Sequence, residues 1–165
     1  MNFVTEEKKE IFLSTPISSF NPEEFDDFKV LFGALQKAIS LNNPEYMVFC
    51  AADQVGSLDT LDDSSYSAIN DFKHIESCAA FILFYPRPLV TSALVELGYA
   101  LALQKSILII SPDKNILPFL CRKMDAVFDF VELTSGVITH QNTVNVISDF
   151  ISNKVLTRLS SGHSR

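Results

Sequence analysis

The sequence predicts an α/β protein: a single doubly wound, flavodoxin-like domain built on a five-stranded parallel sheet. Three observations carry this expectation. Apolar runs of strand length alternate with helix-patterned segments along the chain. Residues 79–84 are apolar without alternation, as strands covered on both faces of a parallel sheet are, and residues 107–110 are all Ile or Leu. The length of 165 residues, 47% of them hydrophobic, suits one core, and no repeat or low-complexity block divides it. The domain is expected to span residues 1–158, with 159–165 as a flexible tail.

Each element has its own justification. Ile11, Phe12 and Leu13 follow a charged lead and read as a buried first strand. The strand opens into a hydroxyl-rich loop with Ser14, Thr15 and Pro16. Asn21 is placed as an N-cap, with Pro22 at the first helical position and Glu23 and Glu24 in the first turn. The helix that follows, to about Ser40, sets Phe25, Phe28, Leu31, Phe32 and Leu35 on one face. Asn42, Asn43 and Pro44 end it, and residues 46–50 form the second strand. A polar loop runs over 51–63, including Asp53, Asp59 and Asp63. Residues 64–77 carry Ala68, Ile69, Phe72 and Ile75 at helical spacing. After the strand at 79–84 come the helix of Glu96 and the strand at 106–110. A short helix near 117–124, a weak fifth strand at 127–130 and a last helix near 143–156 complete the order.

Composition excludes several functions. A net charge of −7 argues against nucleic-acid backbones and anionic lipid, both of which call for Lys and Arg. A small anionic ligand stays possible, because helix N-termini hold anions without net positive charge. Cys50, Cys78 and Cys121 are scattered and odd in number, so neither a disulfide framework nor a zinc site is expected; Cys50 and Cys78, at strand ends, read as buried thiols. His74, His140 and His163 show no metal spacing and are expected at the surface. The charged N-terminus lacks a signal-peptide core, and residues 88–104 are short for a membrane span with an acid near the middle. A cytoplasmic protein with no membrane partner, metal or cofactor is the expectation.

The chemistry is expected at Glu96. Between Arg87 and Lys105 it is the one charged residue in a helix-patterned stretch of apolar and small side chains. Burying an unpaired carboxylate is costly, so a chain that keeps one usually uses it. Thr91 or Ser92 is the natural N-cap, which puts Glu96 one turn inside the helix, where the macrodipole favours the ionised form. Burial opposes this; the dipole is expected to prevail at a pocket mouth. Gly98 is expected to allow a close approach, and Pro86 and Pro88 to stiffen the lead-in loop. In doubly wound sheets ligands bind at the carboxyl ends of the strands, near the reversal of strand order. That rule selects the loops at 14–20, after Cys50, and at 85–91. The bland alternative is a helix acid paired with Arg87, Lys105 or a buried hydroxyl.

Residues 96–105, Glu-Leu-Gly-Tyr-Ala-Leu-Ala-Leu-Gln-Lys, run into an Ile/Leu strand and then Ser111, Pro112 and Asp113. This stretch resembles the signature of the nucleoside 2-deoxyribosyltransferase family. Ile69, Asn70, Asp71 and Phe72, followed by Ile75 and the strand at 79–84, resemble the segment that carries the family's second acid. The likeness covers residues 11 to about 113. It implies that Glu96 is the nucleophile that attacks the anomeric carbon of a nucleoside or nucleotide and holds a glycosyl ester. It implies that Asp71 lies close to the sugar and helps protonate the departing base. Ser14, Thr15 and Pro16 would border the ligand; Asp53, Thr91 and Ser92 are further candidates for contact. A homo-oligomer, dimeric or larger, is implied as well.

Two departures from the family pattern bear on activity. Phe12 stands near the place of a first-strand Tyr that orients the nucleophile, and Val90 near that of a base-contacting acid; Thr91 and Ser92 are the available hydrogen-bond donors. Two alternatives remain open. Ser92 followed by Glu96 and Leu97 is compatible with TIR-like domains that cleave NAD, and the departures are compatible with a nucleotide-binding sensor that has lost turnover. Asp71, beside Lys73 and His74, can also be part of a solvated face, and Asp53 a turn former.

Overall fold

The computed structural model describes residues 8–17, 20–54, 64–89, 91–136 and 140–160. The described residues form one five-stranded sheet, all neighbours parallel, in the order β2-β1-β3-β4-β5. The strands are β1 (Lys9–Ser14), β2 (Tyr46–Phe49), β3 (Ala80–Phe84), β4 (Ser106–Ser111) and β5 (Val131–Ser135). Between them run α1 (Pro22–Asn42), α2 (Ala51–Gln54), α3 (Ser64–Ser77), α4 (Ala93–Ala102) and α5 (Met124–Val127), and α6 (His140–Phe150) and α7 (Leu156–Ser160) follow β5.

Period-two alternation sorts the strand residues into two cores. Ile11, Leu13, Ala80, Ile82, Leu108 and Ile110 face the side covered by α1 and α6. Phe12, Phe81, Leu83, Ile107 and Ile109 face the side of α3 and α4. Strand order reverses between β1 and β3, so the crevice of this topology opens at their carboxyl ends, beyond Ser14 and Phe84.

Local signals explain most of the boundaries. Asn21 accepts from the Glu24 amide at 2.9 Å while the Glu24 carboxylate accepts from the Asn21 amide at 2.8 Å, a reciprocal capping box with Pro22 at the start of α1. The helix ends with Asn43 as its C-cap, and α3 occupies residues 64–77 as its spacing predicts.

Several expectations need correction. The fifth strand is Val131–Ser135; residues 127–130 close α5 and turn into it. Phe128-Asp129-Phe130 imitates strand alternation, but Phe130 packs under the sheet edge with the Arg158 guanidinium over its ring. Instead of one helix at 117–124, two 3-10 turns (Lys114–Ile116 and Phe119–Cys121) precede α5. The last helix begins at His140 and passes through a π-helical turn, Ile151–Val155. Residues 51–54 are helical rather than loop, while Asp59, Asp63 and the tail beyond Ser160 lie outside the described residues. Among the described residues no helix is long and apolar enough to cross a membrane.

Candidate active site

Glu96 lies in the first turn of α4, as expected, with its amide donating to the Ser92 carbonyl at 3.0 Å. Ser92 takes the cap position but is exposed and makes no side-chain cap bond; Thr91 Oγ1 accepts weakly from the Ala93 amide at 3.3 Å. The lead-in loop is braced by Tyr85, whose hydroxyl donates to the Leu89 carbonyl at 2.5 Å and accepts from the Leu89 amide at 2.8 Å. Val90 lies outside the described residues.

The partly buried carboxylate of Glu96 meets β1. Ser14, 2% exposed at the carboxyl end of that strand, donates its hydroxyl to Glu96 Oε2 at 2.5 Å. Neither cation that could have neutralised Glu96 does so. Arg87 forks onto Glu24, with Nη1 to Oε1 at 2.5 Å and Nη2 to Oε2 at 2.9 Å. Lys105 donates to the carbonyls of Glu76 and Cys78 at 2.6 and 3.0 Å. Of the bland alternatives only the buried hydroxyl is realised, and a hydroxyl leaves the charge uncompensated.

The electrostatics follow from that. Loss of hydration pushes the Glu96 carboxyl up to about 7; the Ser14 hydroxyl opposes the rise and the charge of Asp71 adds to it. The expectation that the helix dipole would hold Glu96 ionised is therefore not met, because burial outweighs it. Asp71, half-buried on α3, is also raised by burial, and His74 pulls it back. Cys50, just beyond β2, is close enough to feel Glu96 and is driven by burial to about 12, which leaves the thiol neutral. Cys50 and Cys78 are free and buried, as expected, and so is Cys121.

The remaining candidates divide. Ser14 and Glu96 meet, and Asp71 is near enough for its charge to act on Glu96. Asp53 sits exposed in α2 past the end of β2, where its charge reaches Cys50. Thr15 and Pro16 are buried, and the Thr15 hydroxyl has no hydrogen-bond partner among the described residues. Phe12, the aromatic without a hydroxyl, stacks between Phe49 at 5.4 Å and Phe81 at 5.6 Å. Ser14 stands two residues further along the same face of β1, so the hydroxyl that reaches Glu96 comes from there. Among the described residues an added Cβ at Gly98 would meet nothing within 4 Å, so the close approach expected there is not seen.

Sequence reasoning missed the Glu10–His74 pair. His74, expected at the surface, is partly exposed at 30% but engaged: its Nδ1 lies 2.9 Å from each oxygen of Glu10 and its ring stacks on Phe49 at 3.6 Å. The side chain of His140, and all of His163, fall outside the described residues. Among the described residues no group of three or more His, Cys, Asp or Glu gathers as metal ligands would.

No family model and no curated protein sequence matches this chain. Solved structures do. The CMP N-glycosidase BcmB of Clostridium botulinum is similar at a TM-score of 0.62 and 16% identity, over 84% of this chain and 98% of that one. BlsM, known from a solution structure, is similar at 0.65 and 18%, over 98% and 99%. These two structures share this chain's fold, a parallel sheet with helices on both faces. A 2-desoxiribosyltransferase from Leishmania mexicana is similar over 64% of this chain at a TM-score of 0.49 and 19% identity, which adds nothing to the fold assignment.

Proposed function

We propose that this chain is an enzyme that cleaves, or transfers across, the N-glycosidic bond of a nucleoside or nucleotide through a Glu96 ester. The observation that carries the reading is a partly buried carboxyl at the switch point, held by Ser14 and neutralised by no cation among the described residues, with the charge of Asp71 acting on it. Burial holds a proton on Glu96 up to about pH 7, so the nucleophile is its ionised form, and Asp71, also raised by burial, is assigned as the acid.

In the first step the Glu96 carboxylate attacks the anomeric carbon. The C–N bond breaks with its electron pair leaving to the base, and a proton passes from Asp71 to the base nitrogen. Water then attacks the same carbon, frees Glu96 and returns a proton to Asp71; a second base in place of water gives transfer. Two displacements at one carbon retain its configuration, the division of labour of retaining glycosidases. Similarity to a CMP N-glycosidase puts nucleoside monophosphates, CMP first, at the head of the substrate panel.

The test incubates the protein with nucleosides, nucleoside and deoxynucleoside monophosphates and NAD, and measures released base. Glu96→Ala should abolish release, and mass spectrometry of the quenched protein should find a glycosyl adduct on the peptide of Glu96. Release by the variant at the parent's rate sinks the reading. Nicotinamide as the base released would favour the TIR-like activity, and tight binding of an unaltered nucleotide the sensor. The homo-oligomer is proposed on the resemblance and is checked by light scattering.

A further inference from the structure

We infer that β1 is a rail that fixes the distance between the two carboxyls, with Glu10 and His74 as positioning residues. This rests on the proposed roles of Glu96 and Asp71. Glu10, Phe12 and Ser14 alternate onto one face of β1, the face covered by α3 and α4. At the carboxyl end, Ser14 holds α4 through Glu96. At the amino end, Glu10 holds α3 through His74, at 2.9 Å from both carboxylate oxygens. Between them Phe12 packs on Phe49, and Phe49 carries the His74 ring.

The direction of α3 turns this anchorage into placement of the acid. The chain leaving α3 binds at the amino end of the rail, where the Ala79 amide donates to the Glu10 carbonyl at 2.8 Å. Asp71 precedes His74 by three residues, so it stands about one helical turn, roughly 4.5 Å, nearer the carboxyl end and on a neighbouring face of the helix. Ser14 lies roughly 13 Å along β1 from Glu10. One strand therefore grips both helices, each beside its reacting carboxyl. Phe72 against Tyr99 at 4.6 Å and the Tyr99 hydroxyl on Glu76 join the helices on the outer side.

The titratable group acting on Glu96 is Asp71 from α3, and the Cys50 thiol near it is neutral; His74 faces Glu10 from β1 and acts on Asp71 of its own helix. Because the Asp71 charge helps to raise Glu96, loosening α3 should lower the pH at which Glu96 titrates.

The experiment follows the side-chain carboxyl signals of Asp71 and Glu96 by carbon-13 NMR across pH, in the parent, Glu10→Gln, His74→Gln and, as a control, the exposed Lys73→Gln. In Glu10→Gln and His74→Gln, Glu96 is expected to titrate about half a pH unit or more below the parent, with Lys73→Gln unchanged. Glu96 titrating as in the parent in both variants would overturn the inference. Should one variant fail to fold, the other carries the test. A merely structural loss lowers the melting temperature without moving this titration. The measurement needs no turnover, so a parent that releases no base would sink the activity and leave this result standing. In an active parent, both variants should lose tenfold or more in kcat with KM within about twofold.

Discussion

Glu96 is set apart by what surrounds its charge: a hydroxyl, a neutral thiol and another acid, with the nearby cations engaged elsewhere. Two outcomes follow at the scale of this residue. Base release should change with pH around 7, where Glu96 titrates. Because the Ser14 hydroxyl opposes the rise of Glu96, Ser14→Ala should move that inflection to higher pH in a pH–rate series. The second outcome concerns stability. The folded protein holds the Glu96 proton more tightly than the unfolded chain, so stability is lost as pH rises from about 4.5 through about 7. Glu96→Gln removes that penalty and should stabilise the protein by about 2 kcal/mol at pH 8 and hardly at all at pH 4, read from denaturant midpoints. Glu96 was legible in the sequence because a lone charge in an apolar helix stands out. The Glu10–His74 pair was not, since its members are 64 residues apart and neither follows a local pattern.

At the scale of elements, legibility followed the density of local signals. The start of α1 carried three at once, a capping residue, a proline and two acids, and all are realised. Asn21→Ala should cost about 1 kcal/mol and lower the melting temperature by a few degrees in calorimetry. The edge strand β5 was misplaced because the aromatic pair Phe128 and Phe130 alternates more conspicuously than Val131-Glu132-Leu133-Thr134 does. The π-helical turn at Ile151–Val155 had no signal of its own, because one added residue per turn does not alter which side chains are apolar. Of the loop candidates, Ser14 could be found by its position at a strand end, whereas Thr15, one residue on, is buried with its hydroxyl unpartnered.

For the whole molecule, strand–helix alternation and two unbroken apolar strands were enough to foresee one parallel sheet with helices on both faces. The strand order itself was not written locally; it follows from which faces the helices cover, and it puts the reversal between β1 and β3 beside Glu96. The two cores meet at β3, all of whose residues are buried. Phe81→Ala should cost about 3–5 kcal/mol, seen as an earlier denaturant midpoint with little change in slope. Tyr85 closes that same strand and ties its hydroxyl to both backbone groups of Leu89. A loop stapled in this way arrives at every collision already in shape, so the freedom a floppy lip would forfeit on capture has been surrendered during folding. Swapping that phenol for phenylalanine should therefore slow ligand association more than it hastens escape.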